Sequence, residues 1–261
     1  MTLLSRLVQS TAANALGWTL VHSLWEGALI ALALAALLSA VRSPRLRYAA
    51  ACVAMLSLLA MALSTFAYLL PLPEARATSV IGVPGPASIL GLNEGRTAAD
   101  AATKPGVLEF LPWLAPIWLA GVVIFQLRTL AGCFVAQRLR HRGVCCPSGL
   151  WQQRLDALGG ILRVSRPVRL LESCMAEVPV VIGYIRPLIL MPVGLMANLS
   201  VRQVESILLH ELAHIRRYDY VVNLLQISVE GLLFYHPALW WISGVIRAER
   251  ENCCDDYCDP W

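Results

Sequence analysis

Three long stretches of the chain are almost free of charged side chains and predict helices that cross a membrane. The first, Ala12–Val41, is rich in leucine and alanine and carries one histidine and one glutamate. The second, Tyr48–Pro73, and the third, Phe110–Leu127, contain no charge, and the third continues past one arginine to Ala136. A helix needs about 20 apolar residues to cross the hydrocarbon core. We therefore expect three spans within residues 1–136.

Shorter patterns follow after the third span. Ser148–Leu162 has the period of a helix, and Val168–Glu172 reads as a strand. Pro179–Gly183 and Pro187–Pro192 predict two further strands joined by a turn, so we expect a small antiparallel sheet. The prolines at their ends confine these strands to a sheet edge or to first positions. An exposed edge could bind an extended substrate through main-chain hydrogen bonds, or the sheet could simply cover a helix, and the pattern leaves both open.

Composition agrees with a membrane protein. Hydrophobic residues make up 57% of the chain and charged residues 15%, and the mean hydropathy is +0.62. These values lie outside the range typical of soluble domains. The net charge of +4 comes without the basic and aromatic pattern of nucleic-acid binders, so we expect the lipid bilayer, and no nucleic acid, as a direct partner.

The placement of arginines predicts the orientation in the membrane. The loop Leu72–Glu109 is rich in proline and glycine and carries only three basic residues. Because basic residues accumulate on the cytoplasmic side, we expect the N-terminus outside, an extracytoplasmic loop at 72–109, and residues 137–261 in the cytoplasm. This is the topology of a multi-pass membrane protein. The arginines behind this prediction are Arg42, Arg45 and Arg47 after the first span, and Arg128, Arg138, Arg140 and Arg142 at the end of the third.

The eight cysteines include no CxxC pair. Two of them fall in spans and six on the predicted cytoplasmic side, where thiols stay reduced. We therefore expect no disulfides.

The segment His210-Glu211-Leu212-Ala213-His214 carries the strongest chemical signal in the chain. It lies in Val201–Arg217, which predicts an unbroken helix opened by a capping box at Ser200. Two histidines four residues apart project from one helical face and can bind one metal ion, and zinc takes such ligands readily. Glu211, between them, can accept a proton from a metal-bound water. The alternative is a chance match in a helix with a satisfied core histidine.

Three acidic residues that follow are candidates for a third ligand. Asp219 comes five residues after His214 and is rotated away from the histidine face, so we interpret it as a partner of the two nearby arginines or as the end of the helix. Glu230 lies in an apolar segment, where an ionisable group is usually functional. Glu251 has Asp255 four residues later on the same face, so one carboxylate could bind zinc while the other orients a histidine. This spacing favours Glu251 over Glu230.

The apolar segment Val221–Ile246 is long enough for a fourth span but is broken at His236-Pro237. If Glu251 shares a metal with the two histidines, a single crossing would place them on opposite sides of the bilayer. We therefore predict an apolar helical hairpin that enters and returns, or that lies against the other spans.

A metal-activated water that attacks a carbonyl group also needs a donor that stabilises the tetrahedral oxyanion. Tyr184, Tyr218 and His236 are candidates for this role, and the sequence does not rank them.

Several segments together resemble the BlaR/MecR-type integral-membrane metallopeptidases, the sensor-transducers of the beta-lactam response and their relatives. The resemblance covers nearly the whole chain. It is carried by HELAHIRRYD at 210–219, IRPLILMP at 185–192, the His236-Pro237 pair, ERENCCDD at 249–256, and, in the first hairpin, GWTLVHSLW at 17–25 and SPRLRY at 43–48.

The resemblance implies that His210, His214 and Glu251 bind zinc, that Glu211 is the general base, and that Asp255 orients a ligand. It also implies the fold class, a mainly α membrane protein. Three N-terminal transmembrane helices within residues 1–136 would be followed, in residues 137–261, by a gluzincin-like α+β zinc peptidase core with a small antiparallel sheet and an apolar helical hairpin.

The expected function is that of a zinc endopeptidase that cleaves itself or a cytoplasmic regulatory protein in transmembrane signalling. The resemblance suggests a transcriptional repressor of the penicillinase-repressor type as the substrate. The antibiotic sensors continue into an extracellular penicillin-binding domain, whereas this sequence ends at Trp261, so we expect that sensor domain to be lacking. The alternative is a non-catalytic signalling or scaffold subunit, a truncated sensor-transducer.

Overall fold

The computed structural model of the protein describes residues 10–70, 110–139, 142–183 and 187–258. Three helices in these ranges are long and apolar enough to cross a membrane, as predicted. They are α1 (Thr11–Ala40), α2 (Pro44–Leu69) and α3 (Leu111–Leu139). The predicted extracytoplasmic loop lies outside the described residues.

The chain folds as two units, and these three long apolar helices contribute to both. The first unit comprises residues 1–25 and 60–120. Within it, α1 and α3 approach closely at Gly17, where an added Cβ would lie 2.5 Å from the carbonyl oxygen of Leu111. The second unit comprises residues 26–59 and 121–261 and contains the sheet and the remaining helices. The predicted domain boundary between residues 136 and 137 stays a prediction.

A four-stranded sheet in the second unit has the order β1-β2-β4-β3. Its strands are β1 (Val144–Cys145), β2 (Arg169–Ser173), β3 (Val180–Ile182) and β4 (Leu188–Pro192). The predicted hairpin of β3 and β4 is antiparallel, but β2 runs parallel to β4, so the sheet is mixed and the expectation of an antiparallel sheet is wrong.

The burial of β4 explains this arrangement. All five of its residues are buried, and a strand that is apolar on both faces is stable only in the interior of a sheet. β4 therefore lies between β2 and β3, and only β3 is an edge strand of the predicted pair. Pro192 is the last residue of β4, directly before the next helix, where its missing N–H costs the ladder little.

The sheet packs against helices around an apolar core. These helices are α4 (Gly149–Ile161), the short α5 (Val193–Asn198) and α6 (Val201–Arg216). α6 begins with the predicted capping box, in which Ser200 and Gln203 exchange side-chain and backbone hydrogen bonds. Each fully buried leucine in such a core stabilises it by roughly 1.5–3 kcal/mol. The core includes Leu155 of α4, Leu170 of β2, Ile189 and Met191 of β4, and Leu208 and Leu212 of α6.

Two helices, α7 (Asp219–Leu232) and α8 (Pro237–Cys258), follow α6. α7 has 14 residues, fewer than the roughly 20 that a span requires. The break at residues 233–236 comes directly before Pro237, where a proline at the first helical position is well tolerated. The structure thus has two helices here in place of one long span, and the placement of this hairpin relative to the membrane stays a prediction.

Candidate active site

The two histidines of the HELAH segment lie side by side on α6. Leu208 and Leu212 of the same helix are fully buried in the core, whereas His210, Glu211 and His214 are only partly buried. The Nε2 atoms of the two histidines are 3.2 Å apart. Their rings meet edge to face, with centroids 4.8 Å apart.

Glu251 of α8 completes a group of three ligand atoms. Its Oε2 lies 3.3 Å from Nε2 of His210 and 3.5 Å from Nε2 of His214. Ligand atoms that surround one zinc ion tetrahedrally at about 2.0–2.1 Å are separated by roughly 3.3 Å. The two imidazoles and one carboxylate therefore fit zinc in both chemistry and spacing, and they form the donor set that catalytic zinc sites use.

Glu211 lies beside this group and is half-buried. Burial raises the pKa of its carboxyl group, and the neighbouring Glu251 adds to that rise, whereas the charges of His214 and His210 oppose it. A carboxylate with a raised pKa is a stronger base, which suits a group that takes a proton from water.

Asp219 contacts His214 on the opposite side of the ring. Its Oδ2 lies 2.8 Å from Nδ1 of His214, so a proton on Nδ1 leaves Nε2 free for a metal. Burial alone would lower the pKa of His214, but the hydrogen bond to Asp219 and the charge of Glu251 outweigh it, and the pKa of His214 is raised. The carboxylates around His214 therefore favour a positive charge at this imidazole.

The contact of Asp219 with His214 was missed in the sequence analysis, which considered only the continuation of one helix. Asp219 does approach Arg217, at 3.5 Å, as expected. Between α6 and α7, however, Tyr218 adopts the left-handed conformation, with φ 57° and ψ 34°. This turn reverses the chain and brings Asp219 back to the histidine face. The available signal was an acidic residue shortly after the second histidine.

Asp255, the residue expected to orient a ligand, lies next to the other histidine. Its Oδ1 is 3.6 Å from Nδ1 of His210, and its side chain is 69% exposed. That separation is longer than a hydrogen bond. Both histidines thus have a carboxylate near Nδ1, and the closer one belongs to Asp219.

Glu230 is placed in a different cluster. Its Oε1 accepts hydrogen bonds from the side chains of Gln226, Ser243 and Arg247, with Arg247 at 2.9 Å. These partners lie between α7 and α8. Among the described residues that could hold a metal together with both histidines, the acidic member is Glu251.

The two candidate oxyanion stabilisers that the structure describes, Tyr218 and His236, contact different parts of the molecule. His236 is fully buried and lies against Gly27 of α1, where an added Cβ would be 2.3 Å from the imidazole ring. Tyr218 stacks under the guanidinium of Arg166 at 4.8 Å, and Tyr184 lies outside the described residues. The structure instead places Tyr220 and Arg166 in the wall of the cavity that contains Glu211, with Arg166 donating to the Tyr220 hydroxyl at 3.1 Å.

This cavity has a volume of about 390 Å³. Glu211, His214 and Glu251 lie on its wall together with β3, the edge strand Val180–Ile182. An edge strand has one row of unpaired main-chain groups, so an extended peptide can pair with it.

Comparison with known proteins places the sequence of this chain in a family. The sequence model of the BlaR1 peptidase M56 family matches residues 3–258. The regulatory protein BlaR1 of Bacillus licheniformis is 24% identical over 139 residues, which are 53% of this chain and 23% of that protein. The methicillin resistance mecR1 protein of Staphylococcus aureus is 27% identical over 81 residues, or 31% of this chain and 13% of that protein.

The chain thus spans less than a quarter of the length of these two relatives. The family match, by contrast, extends over nearly all of the chain and includes α6 and α8, the helices that carry the histidine pair and Glu251. The chain belongs to the BlaR1 peptidase M56 family.

Proposed function

We propose that this protein is a membrane-embedded zinc endopeptidase that cleaves itself or a regulatory protein at the cytoplasmic face of the bacterial inner membrane. The observation that carries the proposal is the group of His210, His214 and Glu251, whose ligand atoms lie 3.2–3.5 Å from one another beside Glu211. The family match supports peptidase activity, and the three candidate spans support the membrane location. The cytoplasmic orientation rests on the arginine pattern.

The residues of the site would divide the work of peptide hydrolysis. His210, His214 and Glu251 would hold zinc, which supplies a Lewis acid when bound. Glu211 accepts the proton of the attacking water and delivers it to the leaving amine. Asp219 keeps the proton of His214 on Nδ1.

Tyr220 and Arg166 are the donors best placed to receive the charge that develops on the scissile carbonyl oxygen. Both lie in the cavity wall with Glu211. Their mutual hydrogen bond of 3.1 Å holds them in place before the substrate arrives, and such prepared donors stabilise a developing oxyanion.

The substrate would bind as an extended strand along β3. Its main chain pairs with the free side of Val180–Ile182, as in other cases of strand addition. The apolar side chains of β3 favour apolar substrate residues on that side. The relatives are a regulatory protein and a methicillin resistance protein, which supports a regulatory substrate. A repressor of the penicillinase-repressor type is the candidate to test.

The deciding experiment measures zinc content and cleavage of candidate repressors by the full chain purified in detergent. Wild type should bind one zinc and cleave, Glu211→Gln should bind zinc without cleaving, and His210→Ala should lose zinc. Glu177→Gln, at an exposed position, is the matched control and should behave like wild type. Full zinc occupancy in a His210→Ala/His214→Ala double variant would refute the site, and zinc binding without cleavage of the chain itself or of any repressor would favour a non-catalytic signalling subunit.

A further inference from the structure

We propose that Arg47 and Tyr48, at the start of the second membrane helix, are positioning residues for the metal site. They hold the helices that carry the histidine pair and Glu251 in their mutual arrangement. The inference rests on the proposed function for what the site does, and on the following contacts for how it is held.

Arg47 joins the hairpin of α1 and α2 to α8. Its Nε donates to Oε1 of Glu249 at 2.6 Å. Its NH1 group donates to the carbonyl oxygens of Leu38 and Val41, at 2.9 and 3.3 Å, at the C-terminal end of α1. Glu249 is only 4% exposed, and a buried carboxylate without its partner is strongly unfavourable. The ion pair therefore fixes where α8 lies against the turn between α1 and α2.

The position of Glu249 on α8 makes this anchor relevant to the site. Glu249 and Glu251 are two residues apart, which corresponds to about 200° around a helix. One side of α8 is thus tied to Arg47 while the nearly opposite side presents Glu251 to the histidines. Rotation or sliding of α8 at Glu249 would move Glu251 by a similar amount.

Tyr48 acts on the other ligand helix. The guanidinium of Arg217, the residue that caps the C-terminal end of α6, lies 5.1 Å from the centroid of the Tyr48 ring. Arg217 also donates to the carbonyl oxygen of Arg250 at 3.1 Å and to Sγ of Cys254 at 3.3 Å. It is 3.5 Å from Asp219. Tyr48 therefore covers a side chain that links the C-terminal end of α6 to α7 and α8.

A second contact between α1 and α8 supports the same picture. His236, directly before α8, packs so closely on Gly27 that any side chain there would meet the imidazole ring. Thirteen residues separate His236 from Glu249, about 20 Å along a helix. α8 thus contacts the α1–α2 hairpin at two points, at His236 before its first residue and at Glu249. The contact of Glu249 with Arg47 is the one that lies two residues from the ligand Glu251.

The test compares variants of the full chain in detergent by their zinc affinity, measured by competition with a chromophoric chelator. Arg47→Gln and Tyr48→Leu should each bind zinc about 10-fold more weakly or worse, as for residues that orient a ligand. Arg42→Gln removes an exposed arginine from the same turn and should match wild type. Tyr48→Phe, which keeps the ring under Arg217, should also retain wild-type affinity.

Two further measurements separate positioning from general damage to the fold. The double variant Arg47→Gln/Glu249→Gln should bind zinc no more weakly than the worse single variant, because both changes remove the same ion pair. Hydrogen exchange should become faster at the amides of residues 249–254 in Arg47→Gln and stay unchanged in Arg42→Gln. If Arg47→Gln does not fold, Glu249→Gln removes the pair from the other side and is judged by the same comparisons.

Equal zinc affinity in Arg47→Gln, Arg42→Gln and wild type would overturn the proposal. If wild type itself binds no zinc, the proposed function fails, and hydrogen exchange alone then decides the positioning role. Faster exchange at 249–254 in Arg47→Gln would uphold it in that case, and unchanged exchange would overturn it.

Discussion

Oδ2 of Asp219 lies 2.8 Å from Nδ1 of His214, on the ring nitrogen that does not face His210. A carboxylate at this nitrogen fixes the tautomer and the ring orientation of a histidine ligand and makes its other nitrogen a stronger donor. Asp219 is 5% exposed, so water weakens this contact little. The histidine pair therefore depends on a residue that lies on a different helix.

Asp219→Asn should lower zinc affinity or peptidase activity by about 10–100-fold, the usual cost of losing an orienting carboxylate. Asp255→Asn should cost less, because its carboxylate is 3.6 Å from His210 and largely exposed. Chelator competition and turnover of a cleaved repressor measure the two effects. A larger loss in Asp255→Asn than in Asp219→Asn would contradict this ranking.

Glu251→Gln should weaken zinc binding by more than the roughly 10–100-fold expected for an orienting partner, since it replaces an anionic ligand by a neutral one. Glu230→Gln should keep its zinc, because Glu230 is bonded within the α7–α8 cluster. It should instead unfold at a lower temperature, because it removes the charge that pairs with Arg247. Metal analysis and thermal melts of the same samples separate the two, and zinc loss in Glu230→Gln alone would move the ligand to α7.

Thiol reactivity should divide the cysteines by burial. Cys254 is fully buried, and burial raises the pKa of its thiol to about 12. A raised pKa keeps the thiol protonated at pH 8, and only the thiolate reacts. Short alkylation at pH 8 should therefore label the exposed Cys145 and Cys174 and leave Cys254 unmodified. Mass spectrometry reads the pattern, with denatured protein as the control in which all three react; rapid labelling of Cys254 in folded protein would contradict it.

Membrane orientation can be tested with reporter fusions. Fusions after Arg45 and after Leu150 should be active with a cytoplasmic reporter, and a fusion at Glu94 with an extracytoplasmic one, because basic residues are retained on the cytoplasmic side. Paired alkaline phosphatase and β-galactosidase fusions at each position provide internal controls. A cytoplasmic signal at Glu94 would invert the topology and place the site on the other side of the membrane.

The features that the sequence predicted correctly depend on residues close to one another in the chain. The three helices that are long and apolar enough to cross a membrane follow from uninterrupted apolar composition over helix length. The start of α6 follows from Ser200 and Gln203, which are three residues apart and bond to each other. The histidine pair follows from a spacing of four within one helix. Each of these is decided by local periodicity or local hydrogen bonding, so a single sequence suffices.

The remaining features were decided by contacts between distant parts of the chain. β4 lies in the interior of the sheet, paired with β2 on one side and β3 on the other, and its continuous apolar run is typical of a strand that is covered on both faces. Asp219 reached His214 through the left-handed turn at Tyr218, a conformation that local preference disfavours in a non-glycine residue and that the surrounding structure must stabilise. Arg47 pairs with Glu249, which lies 202 positions further along the chain. Pairings of this kind arise from packing of the whole fold, in which buried charges need partners, and no pattern in the sequence specifies which partner is near.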